Sequence, residues 1–217
     1  MSSSAFSDTS GKEIAVERAR VEADAAALVG ERILGVRYAD ITNYDPEPRV
    51  WDHGDWHHAT MAVELSLSAS TVNVTWNDTF DAWGVEIFDG PWRESQKPFD
   101  PDDWVATEPD VWSVTDHPLW RERIAGTILG ATFEWSSSSF TGSDGQEIFF
   151  TPCPEVLRLD FKAGPVWIVA AMPKSPDFDA VSARLGGDEL MIVFTADVMR
   201  TLGLADATFL AGPLTKE

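Results

Sequence analysis

Three of the four histidines of this chain fall within six residues, in the run Trp51-Asp52-His53-Gly54-Asp55-Trp56-His57-His58. Two carboxylates and two tryptophans interleave them. On an extended chain, residues two apart project to the same side, so His53, Asp55 and His57 would share one side of the backbone. Imidazole combined with carboxylate suits zinc, iron or nickel, and an open coordination position would permit hydrolytic or oxidative chemistry. No cofactor is expected, and a divalent transition metal is the one this segment could hold. The spacing matches no named zinc-binding pattern. Gly54 between aromatic residues equally suits a structured loop, with its histidines hydrogen-bonded to carboxylates and backbone.

A second constellation follows from strand alternation. Met61, Val63, Leu65 and Leu67 alternate with polar partners, break at Ser68-Ala69-Ser70, and resume as Val72, Val74 and Trp76, the pattern of a β-hairpin. With Leu65 opposite Val74, the polar face carries Glu64 beside Thr75 and Ser66 beside Asn73, and Glu86 of the next strand joins them. If the strand continues backward unbroken, His58 and Thr60 share that face with Glu64. Histidine and glutamate on one face are the makings of a general base and its orienting partner, which makes His58 and Glu64 the catalytic candidates. The plainer reading is a solvent-facing sheet surface, the usual state of such alternation.

Ten tryptophans are heavy usage for 217 residues, and indole rings suit sugar stacking, cation recognition and protein interfaces. Trp76 and Trp167 fall in strands and read as packing residues. Trp51, Trp56, Trp92 and Trp104 fall in loops and, with Asp52, are the candidates for ligand binding. Structural anchoring of long loops is the alternative role. The single cysteine, Cys153, lies between two prolines, which points to a rigid extended segment at the start of a strand rather than to an activated nucleophile. Phosphate-cradling glycine loops, serine nucleophile elbows and dinucleotide fingerprints are absent.

The elements that must position these residues indicate an α+β fold in one domain, 1–217. A serine-rich start, 1–10, reads as loose. Residues 11–29 carry helical spacing, with Gly30 as a stop. Glu31-Arg32-Ile33-Leu34-Gly35 recurs as Glu122-Arg123-Ile124-Ala125-Gly126. The first hairpin likewise has a counterpart in Leu157, Leu159 and Phe161, followed by Val166, Ile168 and Ala170. Each half then closes with an apolar strand, Val85–Phe88 or Leu190–Phe194. This patterning suggests an antiparallel sheet system of two pseudo-repeated four-strand units, 30–90 and 120–195. The second hairpin is apolar on both faces, which places it centrally. A connecting arm, 91–119, is rich in Trp, Pro and Asp, with seven acids and two bases between Arg93 and Asp116. Residues 196–217 form a short helix, capped by Thr195 and stopped by Gly203, and then a tail.

Composition narrows the classes of function. At 44% hydrophobic and 24% charged residues, global disorder is excluded. With 36 acidic and 16 basic side chains the net charge is −20, which repels nucleic-acid phosphates and anionic membranes. Nucleic acid and membrane are not expected partners. A basic protein or a small molecule is. The absence of a secretory pattern and the lone cysteine suit the cytoplasm. The leading expectation is a non-catalytic binding protein, of the neutralising or immunity type, for a basic partner. The other is a small-molecule enzyme or binding protein, metal-dependent in one version, with its pocket built from Asp52–His58 and Glu64.

Overall fold

The computed structural model describes residues 6–40, 50–80, 83–95, 110–136, 139–141, 147–149, 152–174 and 181–204. It is an α+β fold of two five-stranded antiparallel sheets with an N-terminal helix and a short C-terminal one. In chain order the elements begin with α1 (Phe6–Ala27), β1 (Ile33–Asp40), β2 (Trp56–His58), β3 (Ala62–Leu67), β4 (Thr71–Asn77) and β5 (Gly84–Asp89). Next come α2 (Trp92–Ser95), β6 (Asp110–Ser113), α3 (Pro118–Arg121), β7 (Gly130–Ser136), β8 (Ser139–Thr141) and β9 (Glu147–Phe149). The last are β10 (Cys153–Asp160), β11 (Val166–Pro173), β12 (Ala183–Val193) and α4 (Ala196–Thr201).

The first sheet has the order β5-β4-β3-β1-β6 and the second β2-β12-β11-β10-β7, while β8 and β9 form a separate ribbon. Each large sheet contains a four-strand meander, and each gains its fifth strand from a distant segment. Strand β6, from the connecting arm, pairs with β1; strand β2, from the histidine segment, pairs with β12.

Alternation explains why the two sheets face each other. Val36, Tyr38, Val63, Leu65, Val72, Val74, Val85 and Ile87 from the first sheet form one buried cluster with Leu157, Leu159, Val166, Ile168, Leu190 and Ile192 from the second. Complete burial of each aliphatic side chain contributes about 1.5–3 kcal/mol. The opposite face of the second sheet is apolar too: Val156, Trp167, Val169, Met191 and Val193 pack with Val198 and Met199 of α4. Strand β11 accordingly lies in the middle of its sheet. Thr195 caps α4 by accepting from the Val198 N–H, and Gly203 follows at φ 78°.

Several details differ from the expectations of the sequence. Helix α1 begins at Phe6, inside the stretch expected to be loose, and ends at Ala27. It packs against β5 of one sheet and β7 of the other, burying Val21 and Ala25, with Leu28 buried in the turn that follows. The first hairpin turns through the two residues Ser68 and Ala69, closed by the Leu67 N–H donating to the Ser70 carbonyl at 2.8 Å. A shorter loop shifts the register by two, so Leu65 faces Val72 and Glu64 faces Asn73. The two similar pentapeptides take different forms, Ile33–Gly35 in β1 and Glu122–Ala125 in turns after α3. No helix among the described residues is long and apolar enough to cross a membrane.

Candidate metal centre

Residues 51–58 fold back on themselves instead of running extended. The His53 N–H donates to the Trp56 carbonyl at 3.0 Å and the His58 N–H to the Trp51 carbonyl at 2.8 Å, which sets Asp52 opposite His57. Gly54 supplies the positive φ of 80° at the tip. Its N–H donates to Asp52 Oδ1 at 2.9 Å, an Asx-type turn. Because the chain reverses, His53, Asp55 and His57 are not brought together. His53 stacks on Trp56 at 4.0 Å with ring planes 14° apart, and the Asp55 carbonyl accepts from the Phe194 N–H.

Within β2, consecutive side chains alternate. Trp56 and His58 lie on the face away from the sandwich interior, Trp56 among the residues around α4 and His58 with its Nε2 2.7 Å from Glu189 Oε2. His57 points inward and has no exposed surface. There it meets a histidine from outside the cluster. Asp52 Oδ2 lies 3.1 Å from His117 Nε2, Asp52 Oδ1 lies 3.7 Å from His57 Nε2, and the two imidazoles cross at 85° with centroids 4.4 Å apart.

One ligating atom from each of Asp52, His57 and His117 falls within 4.8 Å of the others. Tetrahedral ligands at about 2.1 Å from a metal are about 3.4 Å apart. The two carboxylate–imidazole separations, one from each oxygen of Asp52, bracket that value. His57 Nε2 and His117 Nδ1 are buried without a hydrogen-bond partner among the described residues, a costly state for an imidazole nitrogen. The Asp52 side chain is 45% exposed and that of His117 18%, which leaves one side of the set open to solvent.

The supports come from both sheets. Tyr38 on β1 places its hydroxyl 2.7 Å from His57 Nδ1 and accepts from Trp120 Nε1 at 2.6 Å. Trp51 packs edge-on against Tyr38, His57 and His117, and at a tilt against Trp112 of β6. Phe194 closes the far side of His57. His117 is held where the arm leaves β6: the Val114 N–H donates to the Val36 carbonyl, and α3 begins at the following proline.

Burial, reinforced by the neighbouring His117, pushes the His57 imidazolium down to about 3, so the ring is neutral at ordinary pH. Partial burial opposes ionisation of Asp52, but the Gly54 N–H and the His117 imidazole outweigh it and hold this carboxyl below the usual range. Burial raises the Tyr38 phenol well above its ordinary value. It also lowers His53.

The other candidates are placed as follows. His58 and Glu64 are on different sheets, because the chain crosses at Ala59–Met61, with Thr60 at φ 44°. The Ala59 N–H still donates to Leu190 of β12, whereas the Met61 N–H donates to Ala39 of β1. Glu64 is 3% exposed, bonded to the Trp92 N–H at 2.9 Å and paired with Arg37. Asn73, Thr75 and Glu86 are buried beside it, so this polar face is covered and internally bonded. Trp92 is buried at the start of α2 and Trp56 behind β2. Trp104 lies outside the described residues. Cys153 is buried and its thiol is pushed up by desolvation, which makes it a poor nucleophile.

Sequence reasoning missed His117, Tyr38, Trp112 and Trp120 as site residues. No local spacing marks them, since each reaches the site through tertiary structure. Searches of protein-family models, of curated proteins and of solved structures find no match to this chain.

Proposed function

We propose that this chain is a metal-dependent small-molecule enzyme or binding protein, holding a divalent transition metal through Asp52, His57 and His117. Two imidazoles and one carboxylate are a donor set for zinc or non-haem iron, and three protein ligands leave positions for water or substrate. The observation that carries this reading is the convergence of the three groups at a buried His57 Nε2 that has no hydrogen-bond partner among the described residues. The open side at Asp52 is the route by which a small molecule reaches the metal. A metal there would act as a Lewis acid or lower the pKa of a bound water. The test is equilibrium dialysis of untagged, chelator-treated protein against Zn²⁺ or Co²⁺. One ion per chain is expected, with a Co²⁺ absorption band that disappears in His57→Ala and His117→Ala. Failure to retain a stoichiometric ion overturns the reading.

A second reading rests on the net charge of −20: a non-catalytic protein of the neutralising type, binding a basic partner through long-range attraction. Capture of a basic protein from the native host, released steeply by salt, supports it. Salt-insensitive capture counts against it.

A further inference from the structure

The hydroxyl of Tyr38 has one proton to donate and two lone pairs to accept with. Trp120 Nε1–H is a donor only, so at 2.6 Å it takes one lone pair. Among the described residues, the other polar atom bonded to this hydroxyl is His57 Nδ1 at 2.7 Å. Tyr38 has no exposed surface, so its proton needs a protein acceptor. A neutral imidazole offers one acceptor nitrogen and one donor nitrogen, and whichever hydrogen bond the first makes fixes the second.

We infer that Tyr38 is a positioning residue that fixes the tautomer of His57. In the metal-free protein the hydroxyl donates to Nδ1, and the ring proton sits on Nε2, facing Asp52 across 3.7 Å. This assignment explains why a buried nitrogen without a hydrogen-bond partner is tolerated beside a carboxylate. The Nε2–H is drawn electrostatically to Asp52, too far for a hydrogen bond but correctly signed.

Metal ligation, on the reading proposed above, requires the opposite tautomer, because Nε2 must present its lone pair. The ring proton then belongs on Nδ1 and donates to the second lone pair of the Tyr38 oxygen, while the Trp120 N–H keeps the first. The hydroxyl turns from donor to acceptor and its own buried proton loses its acceptor, so the Tyr38–His57 bond favours the metal-free tautomer and works against ligation. Ligating histidines commonly give their second N–H to an acceptor, but here that gain is set against the stranded hydroxyl proton.

Nitrogen-15 NMR of the histidine rings tests both halves separately. In metal-free wild type, His57 is expected to carry its proton on Nε2. Tyr38→Phe is expected to show a mixed population, and Trp120→Phe, which disturbs the same core but keeps the hydroxyl, to remain on Nε2. Circular dichroism confirms that each variant is folded. Co²⁺ titration of Tyr38→Phe is expected to show affinity no lower than that of wild type, because the variant has no hydroxyl proton to strand. An Nδ1 proton in the metal-free wild type overturns the inference, as does an unchanged tautomer in folded Tyr38→Phe. Co²⁺ affinity in that variant about tenfold or more below wild type overturns this reading of the ligated state. If wild type takes up no metal while its proton sits on Nε2, the metal reading fails and the tautomer assignment stands.

Discussion

Asp52 and His117 are 65 residues apart in the chain, yet Oδ2 of one lies 3.1 Å from Nε2 of the other. This contact ties the first arm of the histidine hairpin to the segment that leaves β6, so the site is formed by joining two stretches that each carry only part of it.

Replacement of Asp52 by Ala removes the only carboxylate of the three-residue set. Metal affinity should fall by more than the about 100-fold typical of a supporting residue. Stability of the metal-free protein should change by no more than about 1 kcal/mol, because the side chain is half in solvent. Chelator competition measures the first quantity and urea unfolding the second. Intact affinity in the variant excludes Asp52 as a ligand.

Glu86 is wholly buried and accepts from Arg20 at 2.6 Å. Arg20→Met leaves that carboxylate without its cation and should cost about 3 kcal/mol. Arg20→Met combined with Glu86→Leu should recover much of the loss, since an apolar pair of similar size carries no buried charge. Denaturant midpoints of the two variants and wild type decide between this and a merely decorative ion pair.

Burial, opposed by Ser136 and aided by Glu134, raises the pKa of Glu155 above its ordinary 4.5. The native state therefore keeps this proton when the unfolded chain has already released it. Stability falls as pH rises from the ordinary value to the raised one, by about 1.4 kcal/mol for each pH interval of one that separates them. Glu155→Gln should match wild type at pH 4 and exceed it at pH 7. Equal unfolding free energies at both pH values would contradict the assignment.

Two glycines should respond for different reasons. A Cβ on Gly84 would meet Pro154 Cδ at 2.8 Å, where β5 crosses β10, so Gly84→Ala should cost about 1–3 kcal/mol through overpacking. A Cβ on Gly54 would meet nothing within 4 Å, but the residue sits at φ 80°. Gly54→Ala should cost about 1 kcal/mol through backbone strain alone. Thermal melts and Co²⁺ binding separate the two, because only the second change also loosens the turn that aims Asp52.

Much of the fold is legible in the residue pattern alone. Alternation identifies the hairpins β3–β4 and β10–β11, doubled apolarity places β11 in the middle of its sheet, and Thr195 with Gly203 bounds α4. What escapes are the non-local choices. The left-handed turn at Thr60, which carries the chain from one sheet to the other, has no residue preference to announce it. An Asx turn at Asp52 overrides the extended spacing on which the grouping of His53, Asp55 and His57 depends. His117 gives no signal at all, because a single histidine in a polar arm acquires meaning only from what it folds against.

The pairing of β2 with β12 has a temporal consequence. His57 is translated early, but its backbone partner is Ile192, in the last strand of the described chain. Closing so long a loop is entropically slow, and such contacts form late in folding. A ribosome-bound chain lacking β12 has no place to anchor the inward-facing imidazole, so metal capture would report completion of both sheets, not their beginning.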